Sequence, residues 1–188
     1  MRIVGGEHSG RPIIAPKGDR TRPTTDRARE SLFNILAHGI GVEMEGARII
    51  DAFAGSGALG LEAMSRGGAF CLFIETDAAA RGAIRDNIEA LKLYGNTRIH
   101  RRSATDLGKK PAGLGGPFTL AFLDPPYGKG LAQEALESLA KGDWLVPGAI
   151  IVIEQGADEI PAMTDAYEEL DRREMGPAQF GFLSFRSA

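Results

Sequence analysis

The sequence has little of what builds a disulfide scaffold, a metal site or a membrane span. It contains one cysteine, Cys71, so no disulfide can form within the chain, and its position in an apolar run predicts a small core residue. Its three histidines lie far apart, and no Cys or His spacing typical of a metal site occurs. No apolar run approaches the ~18 residues that cross a bilayer, and no apolar signal region opens the chain. We therefore expect a cytoplasmic protein with no metal and no membrane partner.

What is present is the composition of a soluble globular protein, with 43% apolar and 25% charged residues in 188. This length predicts one domain with a small extension. The charge is uneven, because residues 1–30 carry seven basic and four acidic side chains, whereas the whole chain has a net charge of -3. We assign 1–23 to a basic N-terminal arm and 24–188 to the main domain. Such an arm on an acidic body indicates contact with nucleic acid, although a solvated surface segment has the same pattern.

Short apolar runs alternate with helical patterns along most of the chain. The alternation predicts an α/β fold, a Rossmann-like, mostly parallel sheet with helices on both faces. Two short extended pieces near the N-terminus predict a small β-hairpin, and two polar-alternating segments near the C-terminus predict an antiparallel pair. The predicted strands are 48–53, 69–74, 97–100, 118–123, 149–153, 167–173 and 179–186, and the predicted helices after the first strand are 57–66, 77–93 and 131–141.

A glycine-rich segment follows the first of these strands, with Gly55, Gly57 and Gly60 in the spacing of a dinucleotide-binding turn. Glycines let the backbone turn tightly and let a ligand approach closely. Glu75 comes twenty residues after Gly55, where a carboxylate can accept hydrogen bonds from ribose hydroxyls. The pattern indicates a ligand with a ribose, either a nicotinamide dinucleotide or S-adenosylmethionine. A simple strand-to-helix turn is the alternative.

The charge around the glycines distinguishes these two ligands. Asp51 precedes the glycines closely, and no Lys or Arg occurs within 52–65. A pyrophosphate would be repelled there, whereas the ammonium group of S-adenosylmethionine would be attracted. We therefore favour S-adenosylmethionine as the cofactor, with S-adenosylhomocysteine as the product, over a nicotinamide-dependent dehydrogenase.

A second segment, Asp124-Pro125-Pro126-Tyr127, ends the strand at 118–123 and so falls at the same sheet edge as Asp51. Consecutive prolines fix φ and leave carbonyl groups as acceptors. The Asp124 carboxylate and the Pro125 carbonyl suit the two N–H groups of a planar amine, and Tyr127 can stack on the ring. Held in this way, the amine lone pair is directed toward a methyl donor. The predicted chemistry is methyl transfer to an amine on a flat ring, and a merely rigid loop is the alternative.

Together the two segments resemble the class I, S-adenosylmethionine-dependent methyltransferases that modify exocyclic amines. Their acceptor motif is Asp, Asn or Ser, then Pro-Pro, then an aromatic residue. The resemblance implies a seven-stranded sheet whose last strand is antiparallel. It implies catalytic roles for Asp124, Pro125, Pro126 and Tyr127. It also implies methyl-donor contacts from Asp51, Phe53, Ala54, Gly55, Ser56, Gly57, Glu75, Thr76, Ser103 and Ala104.

The N-terminal half narrows the resemblance to one family. Residues 1–6, 10–11, 22–34 and 51–67 resemble the RsmD-like bacterial 16S rRNA guanine-N2 methyltransferases. The family often carries an acidic residue where this chain has Ser103 and Ala104, so the serine hydroxyl or the Ala104 N–H would contact adenine here. The resemblance implies a guanine N2 amine in 16S rRNA as the target, free or within an assembled small subunit, and we expect a monomer. RNA contacts are expected from Arg2, Arg11, Arg22, Thr24, Arg27 and Arg29.

Two other functions stay open on the residues alone. A DNA or RNA adenine-N6 methyltransferase is one, because the acceptor motif does not select the base. DNA enzymes of that kind usually carry a separate target-recognition region, for which this chain has no room. The other is a non-catalytic RNA-binding module, against which the intact acceptor motif argues.

Overall fold

A computed structural model describes residues 1–16 and 24–187, and its centre is one seven-stranded sheet. The strands are β1 (Arg48–Ala52), β2 (Phe70–Ile74), β3 (Thr97–His100), β4 (Phe118–Leu123), β5 (Leu145–Gly156), β6 (Tyr167–Met175) and β7 (Ala178–Phe185). Their order across the sheet is β3-β2-β1-β4-β5-β7-β6. The first five pair in parallel, and β7 lies antiparallel between β5 and β6. The predicted mostly parallel, seven-stranded sheet with an antiparallel last strand is confirmed.

Helices cover both faces of the sheet, which is why the inner strands are continuous apolar runs. Side chains of α1 (Asp26–Asn34), α2 (Ala58–Ser65) and α3 (Ala78–Leu91) share one buried cluster with one face. Those of α4 (Leu131–Lys141) and Trp144 pack in a second cluster on the other face. Cys71 is fully buried in the first cluster, as expected for a core residue.

Helix α1 begins with a side-chain cap. The Thr25 side chain accepts a hydrogen bond from the N–H of Ala28, and Asp26 lies in the first turn. The helix continues as a π-helical turn over Ile35–Ile40 and ends at Gly41, whose φ of 82° is a left-handed value.

The N-terminal segment pairs with itself and packs on the body of the protein. Arg2 and Pro12 form one antiparallel bridge, and the Ile3 N–H donates to the Arg11 carbonyl at 2.8 Å. Ile3 and Ile13 are buried in the cluster that contains α1 and α2. The described part of the predicted arm therefore shares a core with the sheet. Residues 17–23, which include the predicted RNA contact Arg22, lie outside the described residues.

Strand β5 is longer than the sequence predicts, because it begins at Leu145 and not at Ala149. Leu145 pairs with Phe118, and the register then shifts before the next pair. Pro147 and Gly148 lie in this irregular part, and both residue types weaken a strand prediction. At its other end β5 continues through Gly156, which brings Glu154 to the sheet edge.

The topology creates a ligand-binding position at the carboxyl ends of the central strands. The crossover from β1 leads to β2 on one side, whereas β4 lies on its other side. Ligands of open α/β sheets bind at this kind of switch point. Among the helices of the described residues, none is both long and apolar enough for a membrane span.

Candidate active site

One cavity of about 810 Å³ lies at this edge and joins the two sequence segments. The glycine segment and the ends of β2 and β3 form one side of its lining, and the acceptor segment forms the other. It therefore has room for a nucleoside-sized ligand beside a second planar group. The predicted site residues that line it are Thr24, Asp51, Phe53, Ala54, Gly55, Ser56, Glu75, Thr76, Ser103, Ala104, Asp124, Pro125, Pro126 and Tyr127.

Asp51 is held at the end of β1 beneath the glycine segment. Its Oδ2 accepts a hydrogen bond from the N–H of Gly60 at 2.9 Å. Burial, with a smaller contribution from the charge of Glu75, raises the pKa of Asp51 to about 8, although the Gly60 hydrogen bond acts in the opposite direction. A carboxyl group in this state is stabilised as an anion by a cationic ligand.

The glycine turn contains three residues with left-handed backbone. Phe53 has a φ of 61°, and Gly55 and Gly57 have φ values of 57° and 78°. Positive φ is rare for phenylalanine, and such strain concentrates at ligand sites. Gly57 caps α2, is buried, and does not line the cavity; a Cβ there would lie 3.1 Å from the Phe73 ring. Gly57 therefore supports the turn from beneath, and its expected cofactor contact stays a prediction.

Glu75 joins the end of β2 to the glycine turn. Its Oε2 accepts the Gly55 N–H at 2.9 Å, and its Oε1 accepts the Asp77 N–H at 2.8 Å. Each carboxylate oxygen has a second lone pair. Because Glu75 also lines the cavity, it can still accept a ribose hydroxyl while it fixes the turn.

Ser103 and Ala104 stand beyond the end of β3, where the family often has an acidic residue. Both line the cavity, and the hydroxyls of Ser103 and Thr105 lie 2.7 Å apart. Asp106 lines a separate surface groove and not this cavity.

Asp124 follows β4 directly beside the glycine side of the cavity. Its N–H donates to the Ala52 carbonyl at 3.4 Å, which brings the acceptor segment against the end of β1. Burial raises the pKa of Asp124 well above its usual range, and the charges of Glu154 and Asp51 add to this. The structure thus brings the two predicted carboxylates, Asp51 and Asp124, to neighbouring strand ends of one cavity.

Glu154 is a site residue that the sequence prediction missed. It is 8% exposed and lines the cavity. Its Oε1 accepts the Tyr127 hydroxyl and its Oε2 accepts the Thr24 hydroxyl, each at 3.0 Å. The signal for it was present: Glu154 follows the apolar run of β5 as Asp124 follows β4, at the same sheet edge.

Acidic side chains at the ends of four neighbouring strands make the cavity negative. In sheet order from β2 to β5, the carboxylates are Glu75, Asp51, Asp124 and Glu154. Arg102 is the one Lys or Arg among the described lining residues. Such a cavity suits the sulfonium and ammonium groups of S-adenosylmethionine and disfavours a pyrophosphate. The residues present therefore fit this cofactor, with Asp51 at the ammonium group and Glu75 at the ribose.

The predicted RNA contacts divide into exposed and buried residues. Arg2, Arg11 and Arg27 are exposed, and Thr24 lies in the cavity. Arg29 is fully buried: its guanidinium donates to the Thr24 carbonyl and to Asp26, and its Nε lies 3.8 Å from Oε2 of the buried Glu62. The expected RNA contact at Arg29 is wrong, because this side chain holds the start of α1 against α2.

Metal chemistry was not expected from the sequence. Within residues 1–16 and 24–187, no group of three or more His, Cys, Asp and Glu side chains is placed to hold a metal ion.

This sheet order, with the glycine turn after β1 and Asp-Pro-Pro-Tyr after β4, defines a class I S-adenosylmethionine-dependent methyltransferase. The chain is closely similar to a solved structure from Escherichia coli, yhhF, provisionally described as a methyltransferase. The TM-score is 0.82 with 33% identity, over 100% of this chain and 99% of the other.

The particular family follows from the sequence comparison. The chain belongs to the family described as conserved hypothetical protein 95, the RsmD family, whose model matches residues 1–184. Ribosomal RNA small subunit methyltransferase D of Escherichia coli strain K12 is 40% identical over 174 residues, 90% of this chain and 83% of that protein. The protein of the same name from Haemophilus influenzae is 34% identical over 160 residues, 85% of this chain and 80% of that protein.

Proposed function

We propose that this protein transfers the methyl group of S-adenosylmethionine to the exocyclic N2 amine of a guanine in 16S rRNA. The observation that carries the proposal is the meeting of Asp51 and Asp124 in one cavity, on neighbouring strands. One carboxyl group suits the cationic donor, and the other suits the N–H groups of the acceptor. The names of the relatives, small subunit rRNA methyltransferases, support rRNA as the substrate.

The donor half of the cavity holds the cofactor by its polar ends. Asp51 pairs with the ammonium group, Glu75 accepts from the ribose hydroxyls, and Ser103 or the Ala104 N–H contacts the adenine. Phe53, Ala54, Gly55, Ser56 and Thr76 supply the remaining surface. When bound, S-adenosylmethionine supplies an electrophilic methyl group on sulfur and leaves as neutral S-adenosylhomocysteine.

The acceptor half prepares the amine for attack. Asp124 and the Pro125 carbonyl accept its two N–H groups, Pro126 keeps the loop rigid, and Tyr127 stacks on the base. Tyr127 is 40% exposed, so one side of its ring is available to a base. As the new N–C bond forms, the nitrogen loses a proton to Asp124. Burial raises the pKa of Asp124, which makes its carboxylate a stronger base for that proton.

The RNA reaches the cavity along the exposed cations of the N-terminal segment. Arg2, Arg11 and Arg27 bind phosphates, and Arg22 is proposed to do so as well. The target base must leave its stack to enter the cavity, which costs least for an unpaired base in an rRNA loop. The acidic cavity repels phosphate, so the target base enters it while the RNA backbone stays outside.

Incubation with labelled methyl donor and unmodified 16S rRNA tests the proposal, both as free RNA and as 30S particles. We expect N2-methylguanosine after nucleoside digestion, and the comparison of free RNA with particles identifies the true substrate. N6-methyladenosine would instead support an adenine methyltransferase. RNA binding without any methyl transfer would support the non-catalytic module.

A further inference from the structure

Glu154 is a buried carboxylate for which methyl transfer alone gives no role. A buried carboxylate is unfavourable unless it is paired or hydrogen-bonded. Among the described residues, its two hydrogen-bond partners are the neutral hydroxyls of Tyr127 and Thr24. The residue also lines the cavity, so one further donor from a ligand can reach it. Because each carboxylate oxygen carries two lone pairs, both oxygens can accept another hydrogen bond.

The position of Glu154 relative to Asp124 is fixed by the sheet. Leu123 of β4 and Ile153 of β5 are register partners. Asp124 comes directly after Leu123, and Glu154 comes directly after Ile153. Neighbouring strands are ~4.8 Å apart, and residues at the same register point to the same face. Two acceptor groups therefore stand side by side at the acceptor end of the cavity.

Guanine and adenine differ at the ring atom next to this pair. Guanine has a second donor, N1–H, beside its N2 amine. Adenine has an unprotonated N1, an acceptor, beside its N6 amine. A second carboxylate next to Asp124 can accept the N1–H of guanine. With adenine, the same carboxylate would face the N1 lone pair and be repelled.

We propose that Glu154 selects guanine by accepting the N1–H of the base whose N2 amine Asp124 and the Pro125 carbonyl hold. The inference rests on the function proposed above and adds to it the determinant of base identity. The acceptor motif does not distinguish the bases, so the selection comes from the neighbouring strand.

The surroundings of Glu154 fit this role. The hydroxyls of Tyr127 and Thr24 hold one carboxylate oxygen each, so the group is oriented before the base enters. Burial raises the pKa of Glu154, and both hydroxyls act against that rise. A guanine N1–H would further favour the charged form, whereas an adenine in the same place would set its N1 lone pair against this buried acceptor.

The test uses a base analogue that separates the two contacts. 2-Aminopurine keeps the amine at position 2 but has no proton on N1. Once the wild-type reaction has identified the methylated nucleotide, a substrate with 2-aminopurine at that position is compared with the guanine substrate. We expect wild-type kcat/KM to fall on the order of 10-fold to 100-fold with the analogue.

In Glu154→Gln we expect this preference to shrink to within about 3-fold, because the amide can accept the N1–H of guanine and can equally donate an N–H to the unprotonated N1 of the analogue. Glu154→Ala is the second variant and should show the same narrowing. Tyr127→Phe removes the hydroxyl but keeps the carboxylate, so its rate can fall while its preference for guanine persists. Glu168→Gln, at an exposed glutamate of β6, is the matched control and should retain both rate and preference. The affinity for S-adenosylmethionine, measured for each variant, reports that the donor half is intact.

Equal losses on both substrates in Glu154→Gln and Glu154→Ala would overturn the inference and make Glu154 a positioning residue for Tyr127. An undiminished preference for guanine in these variants would overturn it as well. Failure of the proposed function has a different signature, since wild-type protein would then yield no N2-methylguanosine from 16S rRNA. Methylated adenosine from wild type would overturn both, because adenine has no N1–H.

Discussion

The Asp51 carboxylate accepts the Gly60 N–H at 2.9 Å, and this hydrogen bond joins the end of β1 to the first turn of α2. Burial nevertheless raises the pKa of Asp51 to about 8. The residue is therefore held in place for a ligand at a cost to the stability of the free protein. Functional sites often carry this kind of conflict.

Replacement of this carboxyl should stabilise the free protein. The pKa of Asp51 in the folded state is about 8, above its ordinary value of 3.8. Between about pH 4 and pH 8 the unfolded chain ionises this carboxyl and the folded protein does not, so the wild type loses stability as pH rises. We expect Asp51→Asn to exceed wild type in unfolding free energy by a difference that grows on the order of 1 kcal/mol per pH unit over this range. Denaturant unfolding at a series of pH values measures it. A difference independent of pH would contradict the assignment.

Binding of S-adenosylmethionine should release a proton below pH 8. The ammonium group lowers the pKa of Asp51, so a carboxyl that is protonated in the free protein must ionise. Affinity should then rise with pH, by up to about 10-fold per unit, and level off near pH 8. Calorimetry in buffers of different ionisation enthalpy counts the released protons. Proton uptake, or an affinity that falls as pH rises to 8, would count against the role of Asp51.

Gly60 should tolerate no side chain. A Cβ there would lie 2.5 Å from the Phe73 ring, 2.7 Å from the Cys71 sulfur and 3.0 Å from Oδ2 of Asp51. We expect Gly60→Ala to lower stability by about 1–3 kcal/mol and to weaken donor binding, because Asp51 must move. Gly82→Ala, inside α3 with open space around the added carbon, is the matched control and should stabilise by about 0.5–1 kcal/mol. Thermal denaturation of both variants provides the comparison, and equal effects would contradict this packing.

Two arginines of α1 should behave in opposite ways. Arg27 is exposed, so Arg27→Ala should leave the melting temperature unchanged and reduce the salt dependence of RNA binding by about one phosphate contact. Arg29 is buried against Asp26 and Glu62, so Arg29→Ala should cost about 3–5 kcal/mol of stability. Melting curves and filter binding over a range of salt separate the two effects. An Arg29→Ala variant with unchanged stability and weaker RNA binding would contradict the structural role and support an RNA contact for Arg29.

The sequence predicted the central strands because their signals are local. Strands β3 and β4 have the predicted bounds. Strand β4 is a short, mostly apolar run, and β3 begins directly after the turn residues Gly95 and Asn96. The switch point followed from the order of elements, and with it the meeting of Asp51 and Asp124. The cap of α1 is likewise local, since Thr25 bonds an N–H three residues further on.

Other features depend on partners distant in sequence, which periodicity does not reveal. Arg29 was read as a surface cation because its buried partner Glu62 lies in another helix. Gly57 was assigned to the cofactor because its spacing fits the motif, whereas Phe73 and Ile84 surround it. Glu154 was missed because its importance depends on the register of β5 with β4. Each is a tertiary relationship between separate elements.

The most direct test of the account is a paired measurement on Asp124→Ala. We expect this variant to bind S-adenosylmethionine with wild-type affinity, because the donor residues are unchanged, and to lose at least about 100-fold in methyl transfer to 16S rRNA. Asp124→Asn keeps an acceptor oxygen and should retain part of the activity. Formation of N2-methylguanosine by Asp124→Ala at the wild-type rate would contradict the central claim that Asp124 holds the guanine amine for methyl transfer.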